Sequence, residues 1–138
     1  FRGPLIGTMR LYFQALAEKD TPSLIHCVAG KDRTGFSVWL LHHLLGVHED
    51  DAMEDYLLTN QAGNIEARIA QGAQHLRSRI ASDISDDAVR AFMSVDADYL
   101  QAAVQSLIEH YGSPTQYAEE ILGVDAQQRE RLAVNLIV

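Results

Sequence analysis

Apolar positions along this chain recur mostly at helical spacing, with one short exception near residue 25. Met9, Tyr12, Phe13 and Leu16 fall three and four residues apart and predict a helix over 8–19, closed by the polar cluster 18–22. The run 23–28 is too short for a helix between such flanks and predicts a buried strand, with a loop at Ala29, Gly30 and Lys31. From 34 to 45, Phe36, Val38, Trp39, Leu40, Leu41, Leu44 and Leu45 surround most of a helix, which predicts a central, buried one ended by Gly46. The order is strand, loop, buried helix.

Everything beyond reads as helical. Asp50 or Asp51 is placed to cap a helix reaching Leu58, and Asn64 to cap a weaker one whose Ile65, Ile69, Leu76 and Ile80 keep helical spacing but which Gly72 loosens. Ser85 opens another, with Val89, Phe92 and Met93 inward. The strongest pattern spans 96–111, where Leu100, Ala103, Val104, Leu107, Ile108 and Tyr111 form one stripe and Gly112 closes it. Ser113-Pro114-Thr115-Gln116 combines a capping serine with proline at the first helical position, and Asp125 with Gln128 repeats the device for a last helix through Leu132 and Leu136. Neither an internal repeat nor a linker divides the chain, so 1–138 is expected to be one domain.

Composition narrows the function. With 138 residues, 47% of them hydrophobic, the chain is long enough to bury one core. Its net charge of −8, from 19 acidic against 11 basic residues with no basic run, argues against a nucleic-acid or anionic-membrane surface. Any anion must therefore bind locally. The single cysteine, Cys27, excludes an intrachain disulfide and a multi-cysteine metal site, which leaves its thiol free for chemistry. No apolar stretch approaches the roughly 20 residues of a membrane span, and the opening residues lack the pattern of a signal peptide. A soluble protein is expected, cytoplasmic or secreted. Because the first residue is Phe, the chain is expected to be a processed product or a fragment with a preceding segment missing.

The chemistry concentrates in His26-Cys27-Val28-Ala29-Gly30-Lys31-Asp32-Arg33-Thr34-Gly35, at the strand-to-helix junction. A helix start presents unpaired N–H groups and the positive end of its dipole, so it binds a phosphate dianion without a basic surface. Small Ala29 and flexible Gly30 allow the loop to curl until the amides of Val28, Ala29, Gly30, Lys31, Asp32 and Arg33 converge. A thiol at the mouth of such a loop is pushed well below the ~8.5 of a free cysteine, which makes Cys27 a candidate nucleophile. Arg33 supplies a planar fork for two phosphoryl oxygens, a grip that tightens in the transition state. The Thr34 hydroxyl is placed to stabilise the Cys27 sulfur as a leaving group, and His26 to brace the loop backbone.

The pattern Cys-x5-Arg-Thr, preceded by His26 and followed by Gly35, resembles the signature of the protein tyrosine phosphatase superfamily. The version here is similar to that of a mainly bacterial branch of tyrosine and dual-specificity phosphatases, some of which accept phosphoinositides. Asp55-Tyr56-Leu57-Leu58-Thr59-Asn60 and the stretches Tyr111-Gly112-Ser113 through Leu122-Gly123-Val124 are similar to it too. The resemblance implies an α/β, tyrosine-phosphatase-like fold: one signature strand and phosphate loop, then a mainly helical remainder, with N-terminal sheet strands outside this chain. It implies metal-free hydrolysis of phosphate monoesters through a phosphocysteine, without a cofactor, on a phosphorylated protein or phosphoinositide. The superfamily usually takes a general-acid aspartate from upstream, where Asp20 is the sole aspartate and suits a turn. The acid is therefore either outside this chain or Asp32, which the branch also carries.

Other readings stand beside these. A chain with the loop but no acid would be a catalytically silent phosphate-binding module, and rhodanese-like sulfur transfer is disfavoured by the continuation Arg33-Thr34-Gly35. Lys31 and Asp32 form either a solvated ion pair or a catalytic or substrate-selecting pair, Lys31 adding a second positive group for a ligand with more than one phosphate. His42 and His43 diverge by about 100° around a helix and are expected to be structural rather than metal-binding. A nucleotide-binding loop would need glycine at 25 and Ser or Thr at 32, where Ile25 and Asp32 stand. The region 63–93, with Arg68, Arg77 and Arg79, is read either as a lid over the site or as a surface helix pair.

Overall fold

A computed structural model describes residues 4–18, 22–61, 63–80 and 82–137. Helix α1 (Pro4–Glu18) starts a turn earlier than the apolar stripe predicts, because Leu5 and Ile6 extend the packed face below Met9, Phe13 and Leu16. Lys19 and Asp20, with the turn expected there, lie outside the described residues.

The strand expected over 23–28 is not formed. Residues 22–27 carry no regular structure, and 28–31 bend into the next helix. A strand exists only as one side of a hydrogen-bonded ladder, and no described segment supplies the other side. The burial expected for it fails with the pairing, since Leu24 is 89% and Val28 93% exposed. The described residues are thus helical, without a strand.

Helix α2 (Asp32–Leu44) is central as expected. Phe36, Trp39 and Leu40 are buried and meet Phe13 of α1, Tyr56 of α3 (Glu49–Leu57), and Leu100 and Leu107 of α6 (Ala97–Tyr111) in one core. Gly46 follows with φ of 78°, the left-handed conformation glycine adopts freely. The C-terminal part folds back through α7 (Pro114–Gln116) and a π-helical turn (Tyr117–Leu122) to α8 (Ala126–Leu136), which packs on α1. Asn135 of α8 donates to the Leu16 and Ala17 carbonyls at 3.0 and 3.2 Å.

Helices α4 (Ile65–Arg79) and α5 (Asp86–Met93) stand apart as a hairpin with a small core of their own, Ala73, Leu76 and Val89. Arg90 grips both Glu66 oxygens at 2.9 and 3.1 Å across it. Helix α4 runs unbroken through Gly72. A Cβ there would stand 2.6 Å from the Met93 sulfur, so the bare backbone leaves room for the Met93 side chain of α5. Asn60, in the 3₁₀ turn after α3, holds the far end: it donates to the Val95 carbonyl at 2.8 Å and accepts the Val95 N–H at 2.9 Å.

Candidate active site

The junction between the extended segment and α2 assembles the sequence-predicted residues. Gly30 has φ of 69°, which turns the chain so that Ala29 and Gly30 aim their N–H groups at the Cys27 sulfur. Gly35 N–H then donates to the Lys31 carbonyl at 2.7 Å and starts α2. No side chain caps this start, so its amides stay open to a ligand.

Cys27 is half-buried, and burial alone would raise its pKa. Hydrogen bonds from the Thr34 hydroxyl and from the N–H groups of Thr34, Gly30 and Ala29 outweigh that and bring it to about 6. The Thr34 hydroxyl is buried and has no nitrogen or oxygen partner among the described residues, so the thiolate is the acceptor that satisfies it. Arg33, at the second position of α2, is exposed, and among the described residues no carboxylate neutralises it. Cys27, Arg33 and Thr34 share a cavity of about 190 Å³ whose far wall comes from Thr8, Met9 and Tyr12 of α1. Burial raises the Tyr12 pKa, which keeps its phenol neutral there. Neither Tyr12 nor Thr8 carries a sequence motif; only the return of α1 against the loop brings them in.

Around this centre the remaining residues take distinct positions. His26 Nδ1–H donates to the Cys27 carbonyl at 3.2 Å. Val28 faces solvent. Lys31 is 8% exposed rather than solvated: its ammonium donates to the Ser94 carbonyl at 3.1 Å, stands 5.6 Å from the centre of the Phe92 ring, and lies 3.3 Å from Asp32 Oδ1. The α5 end thereby touches the phosphate loop. Asp32 is the exposed member of the pair, with 61% of its side chain accessible. His42 and His43 go separate ways. His43 stacks on Trp39 and meets Thr115, while His42 keeps a buried Nδ1 without a partner among the described residues. No cluster of three or more His, Cys, Asp or Glu side chains suited to a metal occurs among the described residues.

A cysteine whose thiolate is stabilised by a curled loop, an arginine beside it that no carboxylate pairs among the described residues, and an uncapped helix start together make a candidate site for a phosphoryl group. Residues 6–138 match the tyrosine phosphatase family, and the chain belongs to that family. It is 36% identical over 117 residues to the protein named "Putative tyrosine-protein phosphatase H16_A0669" of Cupriavidus necator, covering 84% of this chain and 41% of that protein. It is 37% identical over 101 residues to the triple specificity protein phosphatase PtpB of Mycobacterium tuberculosis, covering 67% of this chain and 36% of that one. The chain therefore spans about two fifths of the length of the curated relatives it matches.

Proposed function

We propose that this chain is the catalytic portion, 1–138, of a cysteine-dependent phosphatase that hydrolyses phosphate monoesters, protein phosphotyrosine above all. The observation that carries this reading is the convergence of the Thr34 hydroxyl and the Thr34, Gly30 and Ala29 N–H groups on the Cys27 sulfur, in a cavity shared with an Arg33 that no carboxylate pairs among the described residues. In the first step the thiolate forms an S–P bond as the ester P–O bond breaks, and the leaving oxygen takes a proton from Asp32. Arg33 and the amides from Val28 to Arg33 hold the phosphoryl oxygens as negative charge redistributes. Water then attacks phosphorus and gives a proton to the Asp32 carboxylate. The S–P bond breaks, and the Thr34 hydroxyl steadies the returning thiolate. His26 and Gly35 support the loop. None of these steps needs a metal or a cofactor.

A broader range, dual-specificity or phosphoinositide, is supported by the name of the triple-specificity relative and by the placement of Lys31 beside the loop. For Lys31 to reach a second phosphate it must leave Ser94, which makes the α4–α5 hairpin the candidate lid. The α/β reading is kept for the whole protein: paired with strands from elsewhere, the extended segment 22–27 would cover Leu24 and Val28. The competing reading, a phosphate-binding module without turnover, draws on the ion pair that engages Asp32 with Lys31. Acid quenching of the chain during reaction with p-nitrophenyl phosphate separates the two. The catalytic reading expects a phosphate-sized mass gain on the peptide holding Cys27 together with released phenol; phosphate binding without either result refutes it.

A further inference from the structure

Tyr56 belongs to α3, yet its ring packs on the first turn of α2. A Cβ built on Gly35 would stand 2.7 Å from two carbons of that ring, so the bare backbone at 35 is what brings α3 against the turn carrying Asp32, Arg33 and Thr34. Tyr56 is only 5% exposed. It lines a second pocket, of about 110 Å³, together with Asp32, Arg33, Phe36, Tyr99 and Leu100. Arg33 is common to this pocket and to the Cys27 cavity, so the pocket adjoins the phosphoryl site.

Asp32 from α2 and Tyr99 from α6 line this pocket with Tyr56, and these two together with Asp96, the cap of α6, act on its phenol through their charge. Burial first, then these neighbours, hold the phenol up to about 12, so it is a neutral O–H donor throughout the range in which Cys27 works. Asp96 already accepts the Asp98 N–H at 3.0 Å. Asp32 is less committed: Lys31 meets Oδ1 at 3.3 Å, and Oδ2 has no partner among the described residues.

We infer that Tyr56 is a positioning residue whose hydroxyl steers the Asp32 carboxyl across the small pocket, holding one oxygen so that the other faces the leaving group beside Arg33. A carboxylic acid on an exposed helix start samples several rotamers, and a fixed donor on a buried ring selects among them without moving. The inference rests on the acid role proposed above for Asp32. Residue 35 must be small for the same reason, because the ring that carries the donor occupies the space of its side chain.

The test is kcat and KM for phenyl phosphate, a poor leaving group, and for p-nitrophenyl phosphate, a good one, in the parent chain, Tyr56→Phe, Asp32→Asn and the double variant. Tyr56→Phe keeps the ring over Gly35, and an unchanged melting temperature verifies the fold. It is expected to lower kcat for phenyl phosphate by roughly 3- to 10-fold, the worth of one hydrogen bond, with KM and the p-nitrophenyl phosphate rate held within about twofold. In the Asp32→Asn background the same change is expected to cost nothing further. If Asp32→Asn is slow on phenyl phosphate while Tyr56→Phe is neutral, or costs the same in both backgrounds, the Tyr56 inference alone is overturned. If Asp32→Asn leaves the phenyl phosphate rate intact, the acid assignment fails and the inference falls with it.

Discussion

At Cys27 burial and hydrogen bonding pull in opposite directions, and the donors win because several converge on one sulfur. The thiolate fraction, and with it alkylation by iodoacetamide, is predicted to rise with a midpoint near about 6 rather than near 9.0. Thr34→Ala is predicted to move that midpoint upward, and an unmoved midpoint would remove the Thr34 hydroxyl from the account. The same shift couples folding to pH. The folded value lies below the unfolded one, so ionisation of Cys27 adds stability that is fully present above about 9.0 and is lost as pH falls through about 6. Residue types and spacing made most of this centre legible, since a cysteine before a helix start and an arginine six positions on have few other uses together. Burial of Lys31 was not legible, because its partners Ser94 and Phe92 lie over 60 positions away and bear no mark of it. Tyr56 stood within a recognisable stretch, and the one physical sign of its role was a glycine at 35 with no turn requiring it.

Among the elements, those whose cause is local matched their patterns. Asn64, Ser85, Ser113 and Asp125 each accept a backbone N–H at the helix start where capping chemistry predicts it, and Asp96, read as the first residue of its helix, does the same one position before α6. At α3 the cap is instead His48, whose Nδ1 accepts the Asp50 N–H at 3.3 Å, so Asp50 falls inside the first turn. The strand at 23–28 failed because pairing is not local, and the turn at Tyr117–Leu122 escaped because a π-helical register barely changes an apolar stripe. The hairpin of α4 and α5 shares little apolar surface with the main core and hangs on polar bonds such as those of Asn60 to Val95. Asn60→Ala leaves both Val95 backbone groups unpaired where that residue is buried, and is predicted to cost about 1–3 kcal/mol in denaturant unfolding. A loss under about 0.5 kcal/mol would show that water replaces both bonds. If the hairpin is a lid, vanadate in the phosphate loop slows amide hydrogen exchange across 65–93; equal exchange with and without vanadate would make it an ordinary surface pair.

Taken whole, the molecule carries a net charge of −8, and the proposed function asks it to hold a dianion all the same. The groups available for that are local: one uncapped helix start, Arg33 and the loop amides, with Lys31 held against Ser94 after α5. Helix α2 packs on α3, α6 and α7 and shares its core with α1, which fixes its N-terminal turn beside the loop that carries Cys27. The mechanism proposed above has phosphate release depend on the sulfur of Cys27 and on no metal. Turnover of p-nitrophenyl phosphate by this chain in EDTA, measured beside Cys27→Ser, tests that claim most directly. The account predicts turnover that EDTA leaves unchanged and that Cys27→Ser abolishes; turnover that requires metal, or that persists in Cys27→Ser, would contradict it.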